Sequence, residues 1–332
     1  MAIHVGVELS SSFFKLVEVK KKRKNMELLQ YVVHPLPSVW AESGTFLDRE
    51  ELIQTIQEAL LGRRLNTRRV HVSIHCRHVL FKRVMLPEMR KRKYRRWIEK
   101  YLIPVLDLPF SDPVFDFRLL DHVWEDGDQQ EVFLALISQS YIDSFVRCFQ
   151  YCGLDPVHID LAPFGLYRWI HYHRSFQTPH TLMIQISKQD VEVSHFIDRK
   201  LERVYHLHLP MTSFADHEDR PHPDPLHPLL KEKQEVERYG KRLMEQILEK
   251  VSGKERKWLK SSRAEWFLSG EGLDFYLLEN WLQQHLEASV KLAPPAEIIM
   301  PEPLRDRASK WLGNALSIPI GLTVDEKEGM GP

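Results

Sequence analysis

Within one short stretch, His4-Val-Gly-Val-Glu8-Leu-Ser-Ser-Ser-Phe-Phe-Lys15-Leu-Val-Glu-Val19, the chain carries Glu8, Ser10, Ser11, Ser12 and Lys15. The spacing predicts a strand ending near the acid, a tight serine turn and a second strand bearing the lysine. Such a hairpin has the parts of a phosphate site. Hydroxyls and turn N–H groups would meet phosphate oxygens, an ammonium would balance their charge, and a carboxylate would orient a metal-bound water. The competing reading is plain packing, with Glu8 and Lys15 serving only each other.

Other reactive residues are less ordered. Cys148 and Cys152 fall on one predicted helix and could share a metal, but core thiols are the simpler reading; with Cys76 they form no CxxC pair. His217, His222 and His227 alternate with Asp216, Asp219 and Asp224 in a proline-rich loop that lacks a compact ligand spacing and reads as a linker. Two basic runs, 20–24 at a hairpin tip and 90–96 at a helix start, read as solvated faces or as patches for nucleic acid or an acidic lipid surface.

The elements that must position these groups follow from hydropathy. The chain has 332 residues, 43% hydrophobic and 28% charged, with 46 basic and 46 acidic residues. That is enough for two packed domains and argues against a protein built wholesale around nucleic acid. Strands are predicted at 3–9, 13–20 and 26–34. A helix at 48–62 follows, with Asp48 as N-cap and Gly62 as its stop, then a strand at 69–74. Residues 79–160 read as a separate two-layer unit in the order βαββαβ, its last strand at 155–160 and its first helix continuous over 88–106. After a helix at 162–173, strands at 181–187, 190–197 and 201–209 repeat the opening. A strand at 265–269, a helix at 274–286, a strand at 288–292 and a closing segment at 318–324 complete the second half. Glu8 and Lys15 interrupt any signal-type apolar run, and no segment is long and apolar enough for a spanning helix. The expectation is a cytoplasmic protein that meets a membrane only through a partner.

Taken in order, several short stretches resemble the PilM family of type IV pilus assembly, itself similar to the cell-division protein FtsA. Gly6, Glu8, Ser10 and Lys15 fall on the family's opening pattern, with Pro35 and Pro37 closing the third strand. Val84-Met-Leu-Pro87, Phe115-Asp-Phe117, Cys152-Gly-Leu-Asp-Pro156 with Ile159-Asp160, Ser269-Gly-Glu-Gly272 and Ile320-Gly-Leu322 follow in sequence, so the resemblance spans nearly the whole chain. It implies an actin-like (ribonuclease H-like) duplicated α/β fold. Its first lobe would be 1–78 plus 161–178, with the subdomain 79–160 inserted, and its second lobe 179–332. The nucleotide-facing positions it implies are Glu8, Ser10, Ser11, Ser12, Lys15, Gln185, Ser187, Gly270 and Gly272.

The departures from the family pattern bear on chemistry. Ser10 stands where the hairpin glycine would be, and a side chain held in the left-handed region there would cost roughly 1–2 kcal/mol. Glu8 replaces an aspartate, and Ile184-Gln-Ile-Ser187 replaces an Asp-x-Gly, so Gln185 and Ser187 supply neither carboxylate nor glycine. The expected function is therefore a cytoplasmic scaffold at the inner membrane, with no catalytic residue and a degenerate nucleotide cleft. No cofactor is required, although ATP with magnesium is the one the hairpins leave open. The resemblance implies that its partner is the short N-terminal cytoplasmic peptide of a PilN-like membrane protein. By position alone, Arg83 and Asp116 are candidates for a groove between the first lobe and the insertion; pilus assembly ATPases are further candidate partners. The alternative is an actin-fold ATPase driving pilus assembly, or a sugar kinase, which would need acids at 8 and 185.

Overall fold

The computed structural model describes residues 2–22, 25–37, 49–123, 129–173, 176, 178–217, 222–251, 253, 256, 259 and 261–324. Asp48, Asp219, the end of the first basic run and the tail from 325 lie outside them. The chain divides into two compact units: Met1–His75 with Cys148–Pro332, and Cys76–Arg147.

In the larger unit, β1 (Ala2–Leu9), β2 (Phe13–Lys22), β3 (Asn25–Pro35), β4 (Arg69–Ile74) and β8 (Asp155–Leu161) form a sheet of order β3-β2-β1-β4-β8. A second sheet has β9 (His180–Ile186), β10 (Asp190–Ile197), β11 (Lys200–His208), β12 (Ala264–Gly270) and β13 (Ser289–Leu292) in the order β11-β10-β9-β12-β13. Each sheet pairs its first three strands antiparallel and then continues in parallel. The predicted repeat is thus two copies of one topology. Parallel neighbours cannot be joined by a tight turn. Helix Arg49–Leu60 precedes β4, helix Lys233–Lys250 precedes β12, and helix Phe275–His285 links β12 to β13. Val236, Leu243, Ile247 and Val251 pack with Ile184, Val193 and Leu268 in the core of the second sheet.

Two boundaries differ from the sequence expectation. The strand at 155–160 is not the last strand of the insertion. It lies parallel to β4, with Ser73 opposite Asp160, and Asp155 N–H donates to Arg68 C=O at 2.8 Å. Sequence order cannot separate the two placements, because a strand after a helix suits either sheet. The closing segment also does not stay with the second half. Helix Ser317–Leu322 returns to the first sheet, where Leu316, Ile320 and Val324 share a core with Phe13, Val17 and Trp169. Backbone contact makes this return possible. A Cβ on Gly6 would lie 1.9 Å from the Pro319 carbonyl oxygen, and one on Gly321 would lie 1.7 Å from that of Gly165. Arg168 Nε donates to Gly321 C=O at 3.1 Å and its guanidinium meets Asp160 at 2.6 Å, which ties helix Ala162–His173 to both.

The smaller unit is a three-stranded antiparallel sheet, β5 (Leu80–Pro87), β6 (Pro113–Val123) and β7 (Gln129–Ser138), in the order β5-β7-β6. The expected continuous helix over 88–106 is broken. A 3-10 turn at Lys91–Lys93 leads into Tyr94–Trp97, a π turn at Ile98–Leu102 and a 3-10 turn at Ile103–Val105. Pro104 has no N–H for a regular ladder, which cannot run through it. The segment still buries Tyr94 and Ile98 against Leu86, Val132, Leu134 and Leu136.

The Gly165–Gly321 contact yields a stability test. Gly321→Ala should lower the urea midpoint by the equivalent of roughly 1–3 kcal/mol, because backbone must move to admit a methyl group. Gly313→Ala, where a Cβ meets nothing within 4 Å, should be neutral. Equal effects would show that the close approach is not limiting.

Candidate functional site

The two sheets bring their first hairpins together. In the first, Ser10 N–H donates to Phe13 C=O at 2.9 Å, and Ser10 Oγ accepts from the N–H groups of Phe13 (2.9 Å) and Ser12 (3.2 Å). The second repeats this: Ser187 N–H donates to Asp190 C=O at 2.9 Å, and Ser187 Oγ accepts from Asp190 N–H at 3.3 Å. Ser11 Oγ and Ser187 Oγ share a hydrogen bond of 2.8 Å across the sheets. The serine hydroxyls therefore satisfy these turn N–H groups from within the chain. The strain expected at Ser10 is absent. Asp198 and Arg199 are the non-glycine residues of positive φ among those described, and both belong to the β10–β11 turn. An accepting hydroxyl closes the turn without the left-handed conformation.

Behind the first hairpin lies a buried ionic cluster. Lys15 Nζ is 2.6 Å from Glu271 Oε2 and 3.5 Å from Glu8 Oε2, and the Lys15, Glu8 and Glu271 side chains are fully buried. Ser10 Oγ also lies 3.3 Å from Glu271 Oε1. His75 stands 3.8 Å from both Glu8 and Glu192, at the cluster's edge. Burial pushes the Glu8 carboxyl above its ordinary value of 4.5, although Lys15 and His75 pull it back; Glu271 adds to the rise. Burial alone would lower the Lys15 ammonium, but the Glu271 and Glu8 carboxylates outweigh it and hold it above the usual lysine range. Lys15 thus serves Glu8, as the packing alternative has it, and Glu271 at closer range.

Glycine acts here by delivering Glu271. Gly270 has φ 128° and Gly272 φ 99°. A Cβ on Gly270 would lie 1.8 Å from the Ile186 carbonyl oxygen, which also accepts from Glu271 N–H at 3.0 Å. The loop is pressed onto the end of β9, and its central side chain reaches Lys15. Gln185 is buried on β9 opposite Glu192 and Ser269, and its Oε1 finds no hydrogen-bond partner among the described residues. Ser12 lies at the rim, where its C=O accepts from Leu36 N–H at 2.8 Å.

Arg83 and Asp116 are not brought together. Arg83 on β5 meets Glu131 at 3.5 Å, and Asp116 on β6 meets Arg95 at 2.8 Å. Cys148 and Cys152 are buried free thiols. His217 pairs with Glu235 at 3.2 Å, while His222 and His227 stack at 4.0 Å. Among the described residues no three His, Cys, Asp or Glu side chains are grouped to hold a metal ion. Glu271, His75 and Glu192 were missed as site members. The Gly-Glu-Gly spacing around Glu271 was the available signal; His75 and Glu192 gave none.

Two outcomes follow from the buried charges. Lys15→Met should cost about 3–5 kcal/mol by stranding Glu271, and adding Glu271→Leu should recover most of it in urea unfolding. Glu8 binds its proton more tightly folded than unfolded, so its contribution is full below pH 4.5 and is lost as pH rises through the folded value. Glu8→Gln keeps the neutral shape and should gain stability relative to the parent between pH 4.5 and neutrality. A constant difference across that range would remove Glu8 as the titrating group.

Comparison with known proteins agrees with this architecture. A solved structure described as a PilM-PilN type IV pilus biogenesis complex shares the fold over 99% of this chain and 99% of its own, with TM-score 0.73 and 22% identity. A Bacteroides thetaiotaomicron protein with actin-like ATPase fold and unknown function covers 97% of this chain and 96% of its own at TM-score 0.47 and 10% identity. The ethanolamine utilization protein EutJ from Carboxydothermus hydrogenoformans covers 98% and 90% at TM-score 0.49 and 10% identity. No curated protein sequence matches the chain. With two copies of one five-stranded topology and the PilM-PilN structure matching it end to end, the fold is the expected actin-like one. A protein-family model described as type IV pilus assembly protein PilM matches residues 6–195, from the first hairpin through the inserted unit into the second hairpin. Since that match takes in more than half of the sequence, the chain belongs to the PilM family of type IV pilus assembly proteins.

Proposed function

We propose that this protein is a cytoplasmic scaffold of the type IV pilus inner-membrane complex that binds the short N-terminal cytoplasmic peptide of a PilN-like membrane protein and does not turn over ATP. Family membership supports the machine, and the related complex, described as PilM-PilN, supports the class of partner. No helix among the described residues is long and apolar enough to cross a membrane. In this reading a bitopic partner holds the protein at the inner membrane.

One observation carries the scaffold reading over the ATPase reading: Lys15 Nζ lies 2.6 Å from Glu271 in a fully buried pair. Phosphoryl transfer needs a cation and a metal-orienting acid free to meet the terminal phosphate. Here the ammonium is paired from within the chain, Glu8 is fully buried beside it, and Gln185 supplies no charge. Admitting a triphosphate would mean breaking a buried ion pair, which leaves an uncompensated buried charge.

The test is titration of the full chain with the N-terminal cytoplasmic peptide of the bitopic membrane protein encoded beside it, alongside an assay with magnesium and ATP. Saturable peptide binding with neither phosphate release nor an ATP-induced thermal shift is expected. Sustained hydrolysis that disappears in Lys15→Met would establish the ATPase instead.

A further inference from the structure

The segment from Arg90 to Val105 carries a strongly basic surface. Between Glu88 and Tyr101 it has seven basic residues against two acidic ones, in a chain whose 46 basic and 46 acidic residues balance overall. All seven are exposed. Folding accounts for few of them. Arg95 is held by Asp116 at 2.8 Å and lies over the Phe115 and Phe117 rings, 5.2 and 5.6 Å from their centroids. Lys100 lies 5.0 Å over Tyr101. Arg92, Lys93 and Arg96 have no ion-pair partner among the described residues.

Apolar surface emerges beside these cations. The inner side of the segment is used up in the core by Tyr94 and Ile98. Beyond it, Tyr101 is 53% exposed and Val105 76%, and Tyr101 is in ring contact with Trp97 at 5.7 Å. Unpaired guanidinium and ammonium groups on a segment that also exposes an aromatic and an aliphatic side chain match the boundary between anionic headgroups and acyl chains. A nucleic-acid strand would instead want open ring faces among the cations. Those of Phe115 and Phe117 are already covered by Arg95.

We propose that this face of the inserted unit binds a membrane surface rich in anionic phospholipid directly, in addition to any attachment through a membrane partner. The expectation of membrane contact through a partner alone is thereby extended. Protein-free vesicles test this apart from the peptide reading.

The full chain is sedimented with vesicles of phosphatidylcholine alone and of phosphatidylcholine mixed with phosphatidylglycerol. Binding to the mixed vesicles only, weakening as salt is raised, is expected. Arg92→Ala/Lys93→Ala/Arg96→Ala should lower the partition coefficient about a hundredfold. Arg92→Lys/Arg96→Lys, which keeps the charge, should retain it. Tyr101→Ser/Val105→Ser should cause a smaller loss that persists at high salt. Equal binding to neutral vesicles, or full binding by the triple alanine variant at an unchanged thermal midpoint, would overturn the proposal. So would binding that duplex or single-stranded DNA abolishes while Tyr101→Ser/Val105→Ser leaves it intact, since the surface would then be one for nucleic acid.

Discussion

An ammonium removed from water must find a carboxylate, and Lys15 finds Glu271 on the other sheet at 2.6 Å. Much of the surrounding geometry follows from that pairing. Glu271 reaches Lys15 because the chain on either side of it is glycine, with Gly270 pressed against the Ile186 carbonyl where any Cβ would collide. Ser10 and Ser187 close their turns with their own hydroxyls and leave room for the two hairpins to touch through Ser11. Buried ion pairs of this kind add little net stability, but removing one partner is severe, so the cluster works mainly as a register device between the sheets.

A second close approach serves the first sheet. Gly6, Gly165 and Gly321 allow helix Ser317–Leu322 to lie backbone to backbone on β1 and on helix Ala162–His173. None of the three has a positive φ, so their role is steric and not conformational. Arg168 then bonds to Gly321 and to Asp160, which joins the C-terminal segment, the helix and β8 through one buried guanidinium.

For function, the consequence is a division of labour within one chain. The paired hairpins retain the topology of a nucleotide fold but spend their polar groups on each other. On the inserted unit, Arg92, Lys93 and Arg96 of the broken helix have no ion-pair partner among the described residues, whereas Arg95 is held by Asp116.

Periodicity and turn residues made the local elements and their duplication legible in the sequence. Period-2 alternation marked β1–β4 and β9–β11, and the serine turn marked the first hairpin. The broken helix over 88–106 was missed because its apolar spacing suits a regular helix and only Pro104 argues otherwise. Which sheet receives Asp155–Leu161, and which half receives Ser317–Leu322, depended on backbone approaches that no local pattern encodes. The candidate site divides in the same way. Glu8, Ser10 and Lys15 are neighbours along the chain, so their shared hairpin could be read directly. Glu271 is far away in sequence, and an ion pair between distant residues exists only once tertiary packing has brought its carboxylate to the buried lysine, nearer than Glu8.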